Sequence, residues 1–165
     1  MNIICTGYNS IYESNYSFRS KPEKNIFMLI LTKSKAVFRI NGIEYHTPPD
    51  TFVLYDDTVI REYSSDETFL VCDWICFDKN GDNEFFDSIE LVFNSPVQFA
   101  DTEFISNIMR NIASEYYSSG ARHIKMTDTL MKTLLLKISD FSGCNGETQQ
   151  TVDPHYSALI ELREK

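Results

Sequence analysis

Histidine is scarce in this chain, with three among 165 residues, at positions 46, 123 and 155. A metal-dependent barrel enzyme needs two or three histidines and an acid converging on one point, usually with an H-x-H pair. Only His46 falls in a strand-rich region, so no metal site and no cofactor are expected. Equally missing are a G-x-S-x-G elbow, a phosphate-cradling glycine loop and a Cys/His pair at readable spacing. The chain is therefore not expected to be an enzyme. Four cysteines include no C-x-x-C pair. Cys72 and Cys76 on one strand would sit about 13 Å apart, too far to bridge, so reduced thiols are expected.

Positive charge is also in short supply. Fifteen basic residues face 24 acidic ones, a formal net charge of -9, and no Lys/Arg-rich stretch concentrates the opposite sign on one face. As it stands the chain should not bind DNA. No basic segment followed by a long apolar run opens the sequence, and stretches such as Ile26 to Leu31 are far too short to span a bilayer. A soluble cytoplasmic protein without a membrane partner is expected.

What is present is enough apolar mass, 42% of the residues, to bury about two thirds of the unfolded surface in one core. Over the first hundred residues, short runs rich in Val, Ile, Phe, Tyr and Thr alternate with turn formers roughly every 8 to 12 residues, the rhythm of an antiparallel sandwich or barrel. The predicted strands are Ile26 to Thr32, Ala36 to Ile40, Ile43 to His46, Thr51 to Tyr55, Val59 to Tyr63 and Phe69 to Phe77. Asn41-Gly42 between the second and third tolerates positive φ at both positions and marks a tight hairpin.

After Pro96 the period changes. Ile105, Ile108, Met109, Ile112 and Tyr116 recur every three or four residues, with Asp101 as N-cap and Gly120 past the end. A second helix carries Thr127, Met131, Leu134, Ile138 and Phe141 and is closed by Gly143, and its additional Leu130, Leu135 and Leu136 widen the apolar stripe. Ser142 to Pro154 is polar and reads as a connector. A further helix begins at His155 and is interrupted at Lys165, as in a trimmed chain. The resulting division is a domain over 1–141, a linker over 142–154 and the start of another domain over 155–165.

The segment from Leu29 to Phe77 carries Ile40-Asn41-Gly42 with Tyr45, then Pro49-Asp50, Arg61-Glu62-Tyr63 and Trp74-Ile75-Cys76-Phe77. In order and spacing it resembles the cupin-like sensing domain of arabinose-regulator (AraC) type transcription regulators, and the helices and terminal YSALIELREK extend the likeness over most of the chain. Lys33-Ser34-Lys35 replaces the glycines many members have after the long strand, and Arg61 stands where many have His. The resemblance implies a cupin-like jelly-roll barrel followed by two amphipathic helices. It also implies a small-molecule effector, carbohydrate in kind, and a homodimer. DNA would be contacted only through a C-terminal helix-turn-helix half.

In such a barrel Thr32, Arg61, Tyr63, Cys72 and Trp74 would line the effector site, with Trp74 stacking on a sugar face while Tyr63 and Arg61 supply hydrogen bonds. An inward Arg61 would suit a carboxylate or phosphate, favouring a uronate or sugar phosphate. Its alternative is an internal ion pair with Glu62, Asp73 or another nearby acid, or an outward side chain. Trp74 and Tyr63 have an alternative as core aromatics. Met131, Leu134, Leu135 and Ile138 would form the dimer interface, or else belong to the internal core. Tyr8, Tyr12, Tyr16 and Phe18 are a candidate lid. Two other functions stay open: a metal-free sugar enzyme using Tyr63, His46 or Asp73 as base, and a dimerisation module whose pocket is filled by side chains.

Overall fold

The computed structural model describes residues 1–66, 68–79 and 81–144. Among the described residues nine strands are formed: β1 (Asn2–Tyr12), β2 (Ser17–Ser20), β3 (Ile26–Thr32), β4 (Ala36–Ile40), β5 (Ile43–Thr47), β6 (Thr51–Tyr55), β7 (Arg61–Ser65), β8 (Leu70–Asp78) and β9 (Val97–Gln98). The same residues form three helices, α1 (Asn83–Asp87), α2 (Glu103–Tyr116) and α3 (His123–Cys144). The strands build two facing sheets, β1-β8-β3-β6-β9 and β2-β7-β4-β5. That order places the first eight strands in two interlocked Greek keys, a jelly roll. The protein has the mostly antiparallel, cupin-like architecture with C-terminal helices that its sequence implied.

Local chemistry explains most of these elements. Asn41 and Gly42 adopt φ of 50° and 79°, the left-handed pair that a two-residue hairpin requires and that asparagine and glycine tolerate. Central strand β3 is buried on both faces, every residue after Ile26 being covered, and so reads as a continuous apolar run. β7 begins two residues later than the predicted Val59 because the loop before it persists. There the Thr58 amide and hydroxyl both donate to Asp56 Oδ1, at 2.9 and 2.6 Å, closing a local turn that competes with strand pairing.

Two apolar clusters lie on the two sides of the five-stranded sheet. Between the sheets pack Met28, Ile30, Phe38, Val53, Tyr55, Tyr63, Leu70 and Cys72. On the opposite face, Leu29, Leu31, Phe52, Leu54, Ile75 and Phe77 meet the helices through Ile105, Met109, Ile112, Met131, Leu134, Leu135 and Ile138. Those last four residues of α3 are fully covered within a single chain. They serve the internal core, which corrects their placement at an interface between copies. One helix lying on a sheet and against α2 at once needs an apolar stripe this wide.

Helix ends differ from expectation in detail. The N-cap residue of α2 is Thr102, whose hydroxyl donates to Asp50 Oδ1 (2.7 Å). Asp101 still accepts the Glu103 amide at 3.1 Å. Gly143 does not close α3, which continues to Cys144; a single glycine costs a helix only about 1 kcal/mol. The first residues of the expected linker are thus helical, while its remainder and the expected domain start at 155–165 lie outside the described residues. No helix among the described residues is long and apolar enough to cross a membrane.

Candidate functional site

β8 sorts its side chains by parity. Leu70, Cys72, Trp74 and Cys76 face the space between the sheets, whereas Asp73, Ile75 and Phe77 face the helices. β7 contributes Arg61 and Tyr63 to the same interior, both buried. Thr32 is the cross-strand partner of Cys72 and is fully buried, but its hydroxyl already donates to the Thr51 carbonyl at 3.1 Å. All five residues expected at the effector site therefore gather on the inner side of the barrel. Only some have polar groups to spare.

Arg61 is the unusual member. It is 4% exposed, and its Nη2 donates to the Ile26 carbonyl at 2.7 Å. Its Nε makes no hydrogen bond among the described residues. Two nearby acids are engaged elsewhere: Glu62 faces outward to Arg39 and Arg19, at 3.8 and 3.9 Å, and Asp73 lies on the helical face with Lys33 at 2.9 Å. A buried guanidinium is costly unless it is paired. Its neighbour Cys76 is a neutral thiol, pushed up to about 12 chiefly by burial, with the Arg61 charge acting in the opposite direction.

A second donor is stranded in the same interior. Trp74 Nε1 is buried without a hydrogen bond among the described residues, and the indole is turned toward Gly7 of the neighbouring strand β1. Around these donors the walls are apolar and aromatic. Phe38, Tyr55 and Tyr63 are each at most 2% exposed, Phe18 stacks on Tyr63 with ring centroids 4.9 Å apart, and Tyr12 stacks on Tyr16 at 4.0 Å. Burial raises the phenols of Tyr55 and Tyr63 well above their usual range and pushes Cys72 up to about 12. None of them is ionised at neutral pH.

Of the four aromatics expected as a lid, Tyr12, Tyr16 and Phe18 pack against the interior cluster. Tyr8 instead lies outside, under the Lys33 ammonium at 4.4 Å. The lid is continuous with the sheet: Asn2–Tyr12 is a strand, which sequence reading missed because two irregularities interrupt its alternation.

Sequence reading also missed a polar cluster on the helical face. Asp73, fully buried, accepts the Asn9 amide (2.7 Å) and the Ser106 hydroxyl (2.8 Å) and pairs with Lys33. It ties β1, the β3–β4 turn and α2 together. Asp73 therefore sits on the opposite side of the sheet from Tyr63, and His46 is exposed on β5 between Asp66 and Glu44. The three residues considered as bases for an enzyme do not converge. Among the described residues no group of three His, Cys, Asp or Glu is arranged to hold a metal ion. A surface cleft of about 510 Å³ lies elsewhere, lined by Arg39, Asn41, Glu44, Ile60 and Glu62 among others; its charged groups already pair with one another.

Comparison with known proteins adds to this picture. No family model matches the sequence, and no curated protein does. Among solved structures, apo ToxT K231A from Vibrio cholerae aligns over 79% of this chain and 55% of its own, with 9% identity and a TM-score of 0.54. A second ToxT structure from Vibrio cholerae aligns over 85% of this chain and 57% of its own, at 8% identity and a TM-score of 0.51. The AraC-like transcriptional activator CuxR aligns over 73% of this chain and 48% of its own, at 10% identity and a lower TM-score of 0.46. The chain thus spans just over half the length of the ToxT chains it matches, and what it shares with them is the fold: a jelly-roll barrel backed by helices.

Proposed function

We propose that this chain is the effector-sensing part of an AraC-type transcription regulator, taking a small carbohydrate-derived ligand in the barrel interior and reaching DNA through a separate helix-turn-helix domain. The motif order from Ile40 to Phe77 supports the regulator class, and the fold is compatible with it. One observation carries the ligand reading: on the inner side of the barrel, Arg61 Nε and Trp74 Nε1 are covered donors that find no acceptor among the described residues. Natural interiors seldom leave donors unsatisfied. A bound carboxylate or phosphate would satisfy Arg61 with charge-assisted hydrogen bonds, and a pyranose face would find the aromatic wall. A uronate or sugar phosphate is the favoured class. The protein would act as a switch and not as a catalyst.

Signalling would follow from what the ligand touches. Tyr12, Tyr16 and Phe18 cover the interior, and the strand leading to them is tied to α2 through Asn9, Asp73 and Ser106. An effector that binds better when this cover is closed shifts the equilibrium by its differential affinity. Two copies of the protein would pair, cytoplasmically, with the outward residues of α3 such as Leu136 and Met126, roughly half exposed, available for contact.

The test is thermal unfolding, with Trp74 fluorescence, against neutral sugars, uronates and sugar phosphates. A true effector at about a hundred times its dissociation constant adds roughly 2.7 kcal/mol, or about 5–10 °C. A response to anionic sugars is expected, and a response to neutral sugars alone would remove Arg61 from the site. The close packing of Phe38, Tyr55 and Tyr63 favours one competing reading, a module whose interior is filled by its own side chains. No response from any ligand in the panel would leave that reading standing.

A further inference from the structure

The first irregularity in β1 determines which residue meets Cys76. Ile3 pairs with Phe77 on the helical face, and strict alternation would then bring Ile4 opposite Cys76. The bulge sets Ile4 aside, 41% exposed, and makes Cys5 the partner of Cys76. Cross-strand partners in an antiparallel pair have Cα atoms about 4.5–5.5 Å apart, inside the span a disulfide bridges. The two thiols are within hydrogen-bonding reach of each other, and both are half-buried and reduced. One of them lies on β1, an edge strand of its sheet.

We infer that Cys5 and Cys76 form a redox-active dithiol, which hydrogen peroxide converts into a disulfide joining edge strand β1 to β8. Cys5 sulfur attacks one peroxide oxygen, the O–O bond breaks, and Cys5 sulfenic acid and water result. Cys76 sulfur then attacks Cys5 sulfur, the S–O bond breaks, and the hydroxyl leaves with the thiol proton as a second water. Two thiols and one hydrogen peroxide thus give one disulfide and two waters, with the peroxide reduced by two electrons. Burial raises the Cys76 thiol, so loss of its proton limits the second, intramolecular step, and the Arg61 charge next to it works the other way, stabilising the sulfur as its proton departs.

The consequence is mechanical. β1 carries Gly7 over Trp74, Asn9 to Asp73, and Tyr12 to the cover of the barrel. An edge strand opens more easily than the sheet centre, and a covalent tie near its start restricts that opening. This inference does not depend on the interior binding a ligand.

The 165-residue protein would be treated with graded hydrogen peroxide and mapped by mass spectrometry without reduction. The expected product is a linked peptide containing Cys5 and Cys76, lighter by two hydrogens and restored by dithiothreitol. Amide exchange across residues 2–12 should slow by on the order of tenfold in the oxidised protein. Cys5→Ser, at a half-buried position, should fold, lose the linked peptide and lose the change in exchange. A bridge involving Cys72 or Cys144 would overturn the inference. So would Cys5 passing to sulfinic acid without bridging, or oxidation occurring only after unfolding.

Discussion

Gly7 lies against the indole of Trp74, and a methyl group in place of its hydrogen would fall 2.5 Å from Trp74 Nε1 and 2.7 Å from Cε2. The same methyl would sit 2.6 Å from Ser10 Oγ. The absence of a side chain at this position of β1 is therefore what leaves room for the indole against that strand. We expect Gly7→Ala to cost about 1–3 kcal/mol by overpacking and to change the fluorescence of the single tryptophan. Urea unfolding followed at Trp74 measures both; an unchanged midpoint and spectrum would mean the indole is not held there.

Arg61 should weigh against stability when no ligand is bound. Arg61→Met keeps much of the side-chain length, deletes a buried charge and loses one hydrogen bond to Ile26. Apolar replacement of buried charge is often neutral or stabilising, so the unliganded variant should unfold at or above the parent midpoint. Its thermal response to anionic sugars should vanish. A loss of more than about 3 kcal/mol would instead show that Arg61 is structural.

Asp73 should matter far more than a surface acid. Asp73→Ala leaves Lys33 without its counter-ion and the Asn9 amide and Ser106 hydroxyl without an acceptor, a loss of about 3–5 kcal/mol. Asp73→Asn keeps the size and one acceptor and should fall between. If proteolysis of the first twelve residues and the global midpoint both stay put in the alanine variant, the cluster does not hold β1.

His46 gives a pH signature with a definite sign. Hydrogen bonds to Asp66 and then Glu44 raise its pKa above the ordinary 6.5. Its contribution is fully present below that value and fades as pH rises through the higher folded-state pKa. Glu44 works oppositely: His46 and then Arg39 hold it below the usual 4.5, so its share is lost as pH falls through its folded-state value. The pair is exposed, so the effect is small. The unfolding temperature should decline between about pH 6 and pH 8, and His46→Gln should flatten that decline.

The two faces of α3 should respond differently. Leu134→Ala opens a cavity in a fully covered site and should cost about 2–5 kcal/mol. Leu136→Ala, at 47% exposure, should leave monomer stability within about 0.5 kcal/mol. Sedimentation of the parent and the Leu136 variant then tests the proposed pairing: a dimer weakened by the second substitution supports it, and a parent that is monomeric at all concentrations removes it.

Several features were written locally and could be read without coordinates. Asn41-Gly42 set a hairpin because the two residues accept positive φ, the apolar run of β3 announced a strand covered on both faces, and the three-four spacing from Ile105 to Tyr116 announced α2. The parity of Arg61, Tyr63, Cys72 and Trp74 was also legible, since period two assigns a strand's side chains to faces. What parity cannot supply is the identity of neighbours distant in sequence. β1 escaped recognition because its bulges break alternation, and a bulge is defined by the strand opposite it. The pairing of Cys5 with Cys76, the fit of Gly7 over Trp74 and the convergence of Asn9, Lys33 and Ser106 on Asp73 all depend on that register. The absorption of Met131, Leu134, Leu135 and Ile138 into the core has the same origin. A stripe reports how much apolar surface a helix must cover; only the packed sheet and its neighbour α2 decide what covers it.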